Sequence, residues 1–269
     1  MTAATMTAAA MTLREEMRSI GNRNYALWLA FLERTDRALP PPRGLRAPRE
    51  KCAVIIEPRA HPHLSAVIRN VMHFLDDSWG LCIVHGTQNR RFVEQMIEGW
   101  GEVLLLDCGA ADMPGHIYSD YKASLPFWRQ VPSETVLTFE IDSVLRRHGI
   151  DEFLAYDYVG APWVWALNGG IGDSGEAEGP VGNGGLSLRK RSAMLRILEH
   201  HGDERVAGTS EDQFFSRWLY RCGYRLPSLE TAGAFSTETI FQPHSLGLHK
   251  AWQCQFEDAF AQLLDGVQY

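Results

Sequence analysis

The sequence predicts an α/β protein with a mostly parallel central sheet flanked by helices and preceded by an N-terminal helical extension. Three observations support this fold class. Short apolar runs recur between residues 51 and 140, segments with helical spacing separate them, and the proline-rich stretch Pro40–Pro42 divides them from the first part of the chain. Strands that alternate with helices in this way are typical of parallel sheets with right-handed crossovers.

Residues 1–50 are the predicted extension. The first twelve residues are rich in Ala, Thr and Met, which favours disorder, whereas Leu13–Leu39 has apolar residues at helical spacing and predicts one or two helices. The prolines that follow are typical of a stiff linker. We expect these helices to mediate self-association into a homo-oligomer or to dock a partner.

Each strand predicted in the core is a continuous apolar run, because strands buried on both faces carry Val, Ile and Leu without polar alternation. These strands are Cys52–Ile56, Leu81–His85, Val103–Asp107 and Thr135–Glu140. The helices predicted between them are His63–Leu75, Arg91–Trp100 and Tyr118–Trp128.

The pattern is looser after Asp142. The segment Val181–Arg189 predicts a turn or a strand. Three further segments have helical spacing, namely Lys190–His201, Glu211–Cys222 and Ala251–Leu264. We therefore divide the chain into the extension, a core domain over residues 51–252, and a C-terminal helix and tail over residues 253–269.

Composition and missing motifs exclude several functions. The net charge of −7 and the pI of about 5.8 give no electrostatic footprint for nucleic acid or an anionic membrane surface. The five cysteines have no paired spacing, which favours a reducing compartment, and no apolar window is long enough to span a membrane. Neither a G-x-S-x-G elbow nor a P-loop is present, which excludes serine hydrolases and common NTPases. We expect a soluble, cytoplasmic protein.

Two carboxylates, Glu140 and Asp142, lie where the fourth predicted strand ends. Ligands of open α/β sheets bind beyond the carboxyl ends of strands. Both carboxylates could therefore hold a cation, or one could hold it while the other accepts a ribose hydroxyl. The alternative is that Glu140 caps the strand and Asp142 caps a helix that begins at Ser143.

A glycine turn follows in Gly182–Asn183–Gly184–Gly185. It matches a dinucleotide-binding fingerprint poorly, because the residues after it look extended rather than helical. Glycines here indicate a tight turn or a close approach of the backbone to a ligand.

An acidic pair, Glu211–Asp212, opens the next predicted helix. One interpretation is a capping box with Thr209 as the N-cap and Asp212 three residues later. A carboxylate fixed at a helix start is also well placed to act as a general base.

A cluster near the C-terminal end of the predicted core consists of Phe235–Glu238 and the residues around His249. His249 could supply a metal ligand, Lys250 a point charge for phosphate, and Trp252 an aromatic wall. A structural histidine is the alternative. Trp163 and Trp165, which precede the loop of residues 166–180, form either a sugar-stacking wall under a mobile lid or part of the core.

Two long runs, Tyr156–Trp163 and Val181–Arg189, give the chain a recognisable signature, together with Glu140–Asp142, Glu211–Asp212 and Gly247–His249. The sequence from Lys51 to Trp252 resembles domain of unknown function 5672, a family regarded as glycosyltransferase-like. That family is similar to the GT-A group of nucleotide-sugar transferases, so the resemblance implies a GT-A-like fold.

The resemblance also implies roles for individual residues. Asp142 and His249 would bind Mn²⁺ or Mg²⁺, with Glu140 as the partner of Asp142. Gly184 and Gly185, like the Glu211–Asp212 pair, would match the acceptor-site element of inverting galactosyltransferases. Asp212 would then be the catalytic base, Glu211 would orient or bind the sugar, and Lys250 would face the phosphates.

The implied reaction moves a sugar from a nucleotide-sugar donor to a glycan or other hydroxyl acceptor, with inversion. A catalytically inactive relative that binds a nucleotide or glycan is the main alternative. A metal-dependent phosphotransferase or hydrolase is a second alternative, although it would need more clustered carboxylates.

Overall fold

The computed structural model describes residues 3–168, 179–206, 208–267 and 269 of the chain. Its strands are β1 Lys51–Glu57, β2 Trp79–His85, β3 Val103–Asp107, β4 Thr135–Phe139, β5 Ser143–Leu145, β6 Tyr158–Val159, β7 Leu186–Lys190, β8 Ser236–Thr237 and β9 Gly247–His249. Its α-helices are α1 Ala3–Ala38, α2 Leu64–Phe74, α3 Arg90–Met96, α4 Gly115–Lys122, α5 Leu125–Gln130, α6 Arg191–His201, α7 Glu211–Arg221, α8 Leu229–Phe235, α9 Ala251–Cys254 and α10 Glu257–Asp265.

The central sheet has the strand order β3-β2-β1-β4-β7-β6. The first four of these strands are parallel, whereas β7 runs antiparallel to β4, and β6 runs antiparallel to β7. The carboxyl ends of β1 and β2 lie side by side, with Glu57 opposite His85. The predicted α/β fold with a mostly parallel sheet is confirmed, and a ligand cleft is expected at this edge.

The continuous apolar run of β1 is explained by burial on both faces of the sheet. Ala53 and Ile55 belong to a core that also contains Trp28 and Phe31 of α1. Residues Cys52, Val54 and Ile56 point to the opposite face and pack with Trp128 of α5 and Phe215 of α7. Both faces therefore remove apolar surface from water, which is the main stabilising contribution.

The segments predicted as single helices at Tyr118–Trp128 and Ala251–Leu264 are each broken. The first break lies at Ser124, whose side chain accepts a hydrogen bond from the Phe127 N–H and so starts α5 as a new helix. The second break lies at Gln255, which is extended and whose side chain donates to the backbone carbonyl of Glu238.

The extension is one long helix that packs against the core. Helix α1 already begins at Ala3, where disorder is expected from composition. Asn24 donates hydrogen bonds to the carbonyls of Trp252 and Gln255, so the helix is anchored on the C-terminal elements. Trp28 and Phe31 are buried, as predicted. Within the described part of the chain, no helix has the length and apolar character needed to cross a bilayer.

A second sheet places the residues that follow β4 next to His249. Its strand order is β5-β9-β8, and Ser143 of β5 pairs with His249 of β9. Because Ser143 begins a strand, Asp142 does not cap a helix there, and that alternative is wrong. The Lys250 N–H donates to the Asp142 carbonyl at 3.1 Å and extends the pairing to the next residue.

Candidate active site

Three side chains from two distant parts of the sequence meet beyond the carboxyl end of β4. Glu140, Asp142 and His249 each offer a ligand atom, and these atoms lie within 4.8 Å of one another. The Nε2 atom of His249 is 3.4 Å from Asp142 Oδ1 and 3.7 Å from Glu140 Oε2. The pairing of β5 with β9 therefore achieves the predicted meeting of Asp142 and His249.

This donor set fits a divalent cation. Asp142 Oδ1 and Nε2 of His249 are buried without an aligned hydrogen-bond partner among the described residues, whereas the buried Nδ1 of the same ring has the Glu238 carboxylate 3.2 Å away. Buried polar atoms in that condition cost free energy unless something pairs with them. Two carboxylates and one imidazole are ligands that Mn²⁺ accepts, and Mg²⁺ accepts the carboxylates.

The charges of the cluster are strongly coupled. Burial alone would lower the pKa of His249, but Asp142, Glu140 and Glu238 around the ring raise that pKa well above its ordinary value. Burial would likewise raise the pKa of Glu140, yet Lys122 and His249 hold the pKa of that carboxyl below its ordinary value. Glu140 is therefore a carboxylate at neutral pH.

Lys122 of α4 connects this cluster to the start of α7. Its ammonium lies 3.2 Å from Glu140 Oε1 and 2.9 Å from Glu211 Oε1, and it donates to the Gly184 carbonyl at 2.6 Å. The Lys122 side chain is only 1% exposed. A buried lysine needs such partners, because desolvation of its charge is costly.

Glu211 is held by two cations. Arg189 donates to Glu211 Oε2 at 2.7 Å and to Glu211 Oε1 at 3.0 Å, and Lys122 contacts the same Oε1. Burial would raise the pKa of Glu211, but Arg189 and Lys122 lower it to about 2. Both carboxylate oxygens are engaged in ion pairs that hold the start of α7 against Lys122 and Arg189, and the contact of Glu211 with a sugar stays a prediction.

Asp212 is placed differently, although it follows Glu211 directly. Its Oδ2 accepts from the Gly184 N–H, and its Oδ1 accepts from the Gln213 N–H, each at 2.9 Å. Burial and the neighbouring Glu211 charge raise the pKa of Asp212. A carboxylate with a raised pKa that faces a turn is a reasonable proton acceptor.

The predicted capping box at Thr209 is wrong. The N-cap of α7 is Ser210, whose side chain makes no capping hydrogen bond. The first free N–H of the helix, that of Glu211, donates instead to Ser119 Oγ of α4 at 2.7 Å. A cap supplied from another element leaves the Asp212 side chain free to face the glycine turn.

The glycine turn is shaped by close contacts inside the site. A Cβ atom added at Gly184 would collide with the Glu211 carboxylate, and one at Gly185 would collide with the His249 imidazole. The Gly185 carbonyl also accepts from the Glu140 N–H at 2.8 Å. These glycines thus allow the turn to approach the side chains of the site.

A cleft of about 240 Å³ opens beside the cluster. Glu140, Asp142 and Lys250 line it together with Glu57, the last residue of β1, and Arg59 just after that strand. Lys250 has a left-handed backbone conformation, with φ of 53°, and its ammonium makes no ion pair within the described residues. The predicted positive charge of Lys250 is therefore available at the cleft.

The three tryptophans considered for the site, Trp163, Trp165 and Trp252, lie in different environments. Trp163 and Trp165 stack on each other with ring centroids 4.4 Å apart, and both are half-buried. Most of the predicted lid, residues 169–178, lies outside the described residues. Trp252 packs against Tyr25 of α1, with centroids 4.8 Å apart, and does not line the cleft.

The sequence analysis gave no role to Lys122, Arg189 or Glu238, although Arg189 and Glu238 lie in segments that it singled out. Glu238 lies 3.2 Å from His249 Nδ1, on the opposite side of the ring from Asp142. Lys122 and Arg189 are on a helix and a strand whose local patterns carry no sign of buried charge.

Comparison with known proteins gives a family and a fold. A family model described as "Protein of unknown function (DUF5672)" matches residues 115–249. No curated protein matches the sequence. The galactosyltransferase LgtC, solved with donor and acceptor sugar analogues, is 12% identical, with a TM-score of 0.51 over 81% of this chain and 96% of that one. This likeness shows a GT-A-like fold.

Two further glycosyltransferase structures are similar at a lower level. GlyE of Streptococcus pneumoniae is 10% identical, with a TM-score of 0.49 over 80% of this chain. The mannosyltransferase PcManGT of Pyrobaculum calidifontis, solved with GDP-Man and Mn²⁺, is 17% identical, with a TM-score of 0.46 over 79% of this chain. The chain spans 62% of the length of GlyE and 66% of that of PcManGT.

Proposed function

The chain belongs to the DUF5672 family, whose function is unknown, and we propose that it is a glycosyltransferase. It would move a sugar from a nucleotide-sugar donor to the hydroxyl of a glycan or another acceptor, with inversion at the anomeric carbon. Its five free cysteines favour a reducing compartment, and we place the reaction in the cytoplasm.

One observation carries this proposal. Asp142, His249 and Glu140 converge beside a cleft at the edge where β1 and β4 end, within a GT-A-like fold. This edge is where α/β sheets bind nucleotides and phosphates. The fold alone supports many functions, so the proposal rests on the chemistry of the cluster.

Asp142 and His249 would hold Mn²⁺ or Mg²⁺, and Glu140 Oε2 faces the same position. When bound there, such a cation supplies positive charge that offsets the charge of the leaving diphosphate. Lys250 adds a second positive charge on the same cleft. Lys122 takes no direct part, because its ammonium is already committed to Glu140, Glu211 and the Gly184 carbonyl.

Asp212 is the proposed catalytic base. Its carboxylate would accept the proton of the acceptor hydroxyl as that oxygen forms a bond to the anomeric carbon. The bond from this carbon to the diphosphate oxygen breaks on the opposite face, which inverts the configuration. The hydrogen bond from the Gly184 N–H holds the carboxylate in place for this role.

The proposal is tested with the purified chain, Mn²⁺ or Mg²⁺, and a panel of nucleotide-sugars. We expect release of nucleoside diphosphate from one donor, and a rise in Tm that is larger with metal and nucleotide together than with either one alone. Asp142→Asn should abolish both effects, whereas Asp203→Asn, which changes an exposed carboxylate at the end of α6, should leave them intact.

Two outcomes would contradict the proposal. Stabilisation by a glycan or nucleotide without any turnover would indicate the binding relative instead of a transferase. Full turnover by the Asp142→Asn variant would remove the proposed role of the cluster.

A further inference from the structure

Glu238 lies on the outer side of the proposed metal ligand His249. Its carboxylate oxygen Oε1 is 3.2 Å from His249 Nδ1, whereas Nε2 of the same ring faces Asp142 and Glu140. The two nitrogens of one imidazole thus have separate acidic neighbours, and only the Nε2 side belongs to the candidate metal cluster.

Strands β8 and β9 together fix the positions of Glu238 and His249. Strand β8 runs parallel to β9 with Thr237 opposite Leu248, so Glu238 follows β8 at the level of His249. The Glu238 carbonyl accepts from Gln255 Nε2 at 2.7 Å, which anchors its backbone at the break between α9 and α10. The Glu238 side chain is 16% exposed, and that of His249 is 7% exposed, so water is largely excluded from the contact.

The position of the imidazole proton decides whether His249 can bind a metal. A neutral imidazole has one N–H and one nitrogen with a free lone pair, and the partner of the first nitrogen determines which is which. A carboxylate at Nδ1 keeps the proton there and leaves the Nε2 lone pair for a cation. Such carboxylate partners also raise the basicity of the ligand nitrogen.

We propose that Glu238 is the positioning residue of the metal site, which holds His249 as the Nδ1–H tautomer with Nε2 directed at the cation. This inference rests on the proposed metal-dependent function. Glu238 touches neither the cation nor a substrate, and it acts only through the orientation and basicity of His249.

The test measures Mn²⁺ binding by the full chain, from the electron paramagnetic resonance signal of free Mn²⁺. We expect the Kd of Glu238→Ala to rise about 10–100-fold, the usual effect of losing such a partner. Glu238→Gln should fall between this variant and the parent, because its amide oxygen still accepts the Nδ1–H but carries no charge. Glu230→Gln, which changes an exposed carboxylate of α8, should bind like the parent.

A merely structural role would not give this graded order. The visible spectrum of the Co²⁺-loaded protein should also change in Glu238→Ala, because the histidine ligand is reoriented. If Glu238→Ala does not fold, the Kd of Glu238→Gln against the parent decides the question.

The outcomes separate this inference from the proposed function. Equal Mn²⁺ affinity in the parent and the folded Glu238 variants would overturn the role of Glu238 and leave the transferase intact. A parent chain that binds no Mn²⁺ would overturn the metal site itself and this inference with it.

Discussion

Glu211 and Asp212 are adjacent at the start of α7, but their pKa values are shifted in opposite directions. The pKa of Glu211 is lowered to about 2 by Arg189 and Lys122 against the effect of burial, whereas burial and the charge of Glu211 raise the pKa of Asp212. When an environment separates the pKa values of two acids in this way, the group with the raised pKa is the candidate for proton transfer. Only Asp212 therefore suits the role of base.

Asp212→Asn is expected to lower kcat by about 10²–10⁴-fold, which is the usual contribution of a positioned base. Donor binding should change little, because Asp212 contacts the glycine turn rather than the metal cluster. The parent should lose activity as the pH falls through the raised pKa of Asp212, since protonation removes the base. A variant that retains parental kcat, or the same acid limb, would exclude Asp212 as the base.

At the scale of single residues, the sequence predicted the acids and the histidine but not their supports. Asp142 and His249 were paired through the resemblance to GT-A enzymes, because the spacing alone left a structural alternative open for each of them. Lys122 and Arg189 could not be placed, because their importance comes from Glu211, which is far along the chain. Glu238 was grouped with His249, but which atom of the ring it contacts depends on the pairing of β8 with β9. Glu211 shows the same limit, since its two cations are invisible before the chain folds.

The turn before β7 is the element that joins the two halves of the site. The Gly184 N–H holds Asp212, while Gly185 leaves room for the His249 ring and accepts from the Glu140 N–H. The glycines predicted either a tight turn or a close approach of the backbone to a ligand. The structure gives an additional reason for glycine here, which is contact with the side chains of the site.

Gly185→Ala should therefore displace the His249 imidazole. We expect a loss in kcat/KM on the order of 10²-fold, the effect of moving a catalytic group by about 1 Å. Mn²⁺ affinity should fall in parallel. The matched control is Gly202→Ala, where an added Cβ meets no atom within 4 Å. Parental Mn²⁺ affinity in Gly185→Ala would show that the turn does not constrain the histidine.

Lys122 joins three elements, namely α4, the end of β4 and the start of α7. Lys122→Met should lower the free energy of unfolding by about 3–5 kcal/mol, because it removes the buried cation that Glu140 and Glu211 share and leaves each with one counter-charge fewer. Urea denaturation measures this change. Lys51→Met removes two ion pairs, with the exposed Asp76 and Asp151, and should cost about 1 kcal/mol or less. A Lys122→Met variant as stable as Lys51→Met would mean that Glu140 and Glu211 are compensated by other groups.

At the scale of the whole molecule, the structure differs from the sequence-based predictions mainly in how the helices pack on the sheet. The order of strands and helices in the core could be predicted, because each buried strand is a continuous apolar run. The role of α1 could not, since an amphipathic helix before a proline-rich linker looks the same whether it packs on the core or binds a partner. In the structure Trp28 and Phe31 share a core with β1 and α2.

Substitutions along α1 test whether this helix is integral to the folded unit. Phe31 is 2% exposed, and Phe31→Ala should lower the free energy of unfolding by about 3–5 kcal/mol. Leu27, one turn earlier, is 36% exposed, and Leu27→Ala should cost far less. Both are measured by urea denaturation, with size-exclusion chromatography to detect the predicted homo-oligomer. Equal and small effects of the two changes would mean that α1 is a separable appendage, and dissociation on changing Leu27 would instead place its exposed face in a contact between chains.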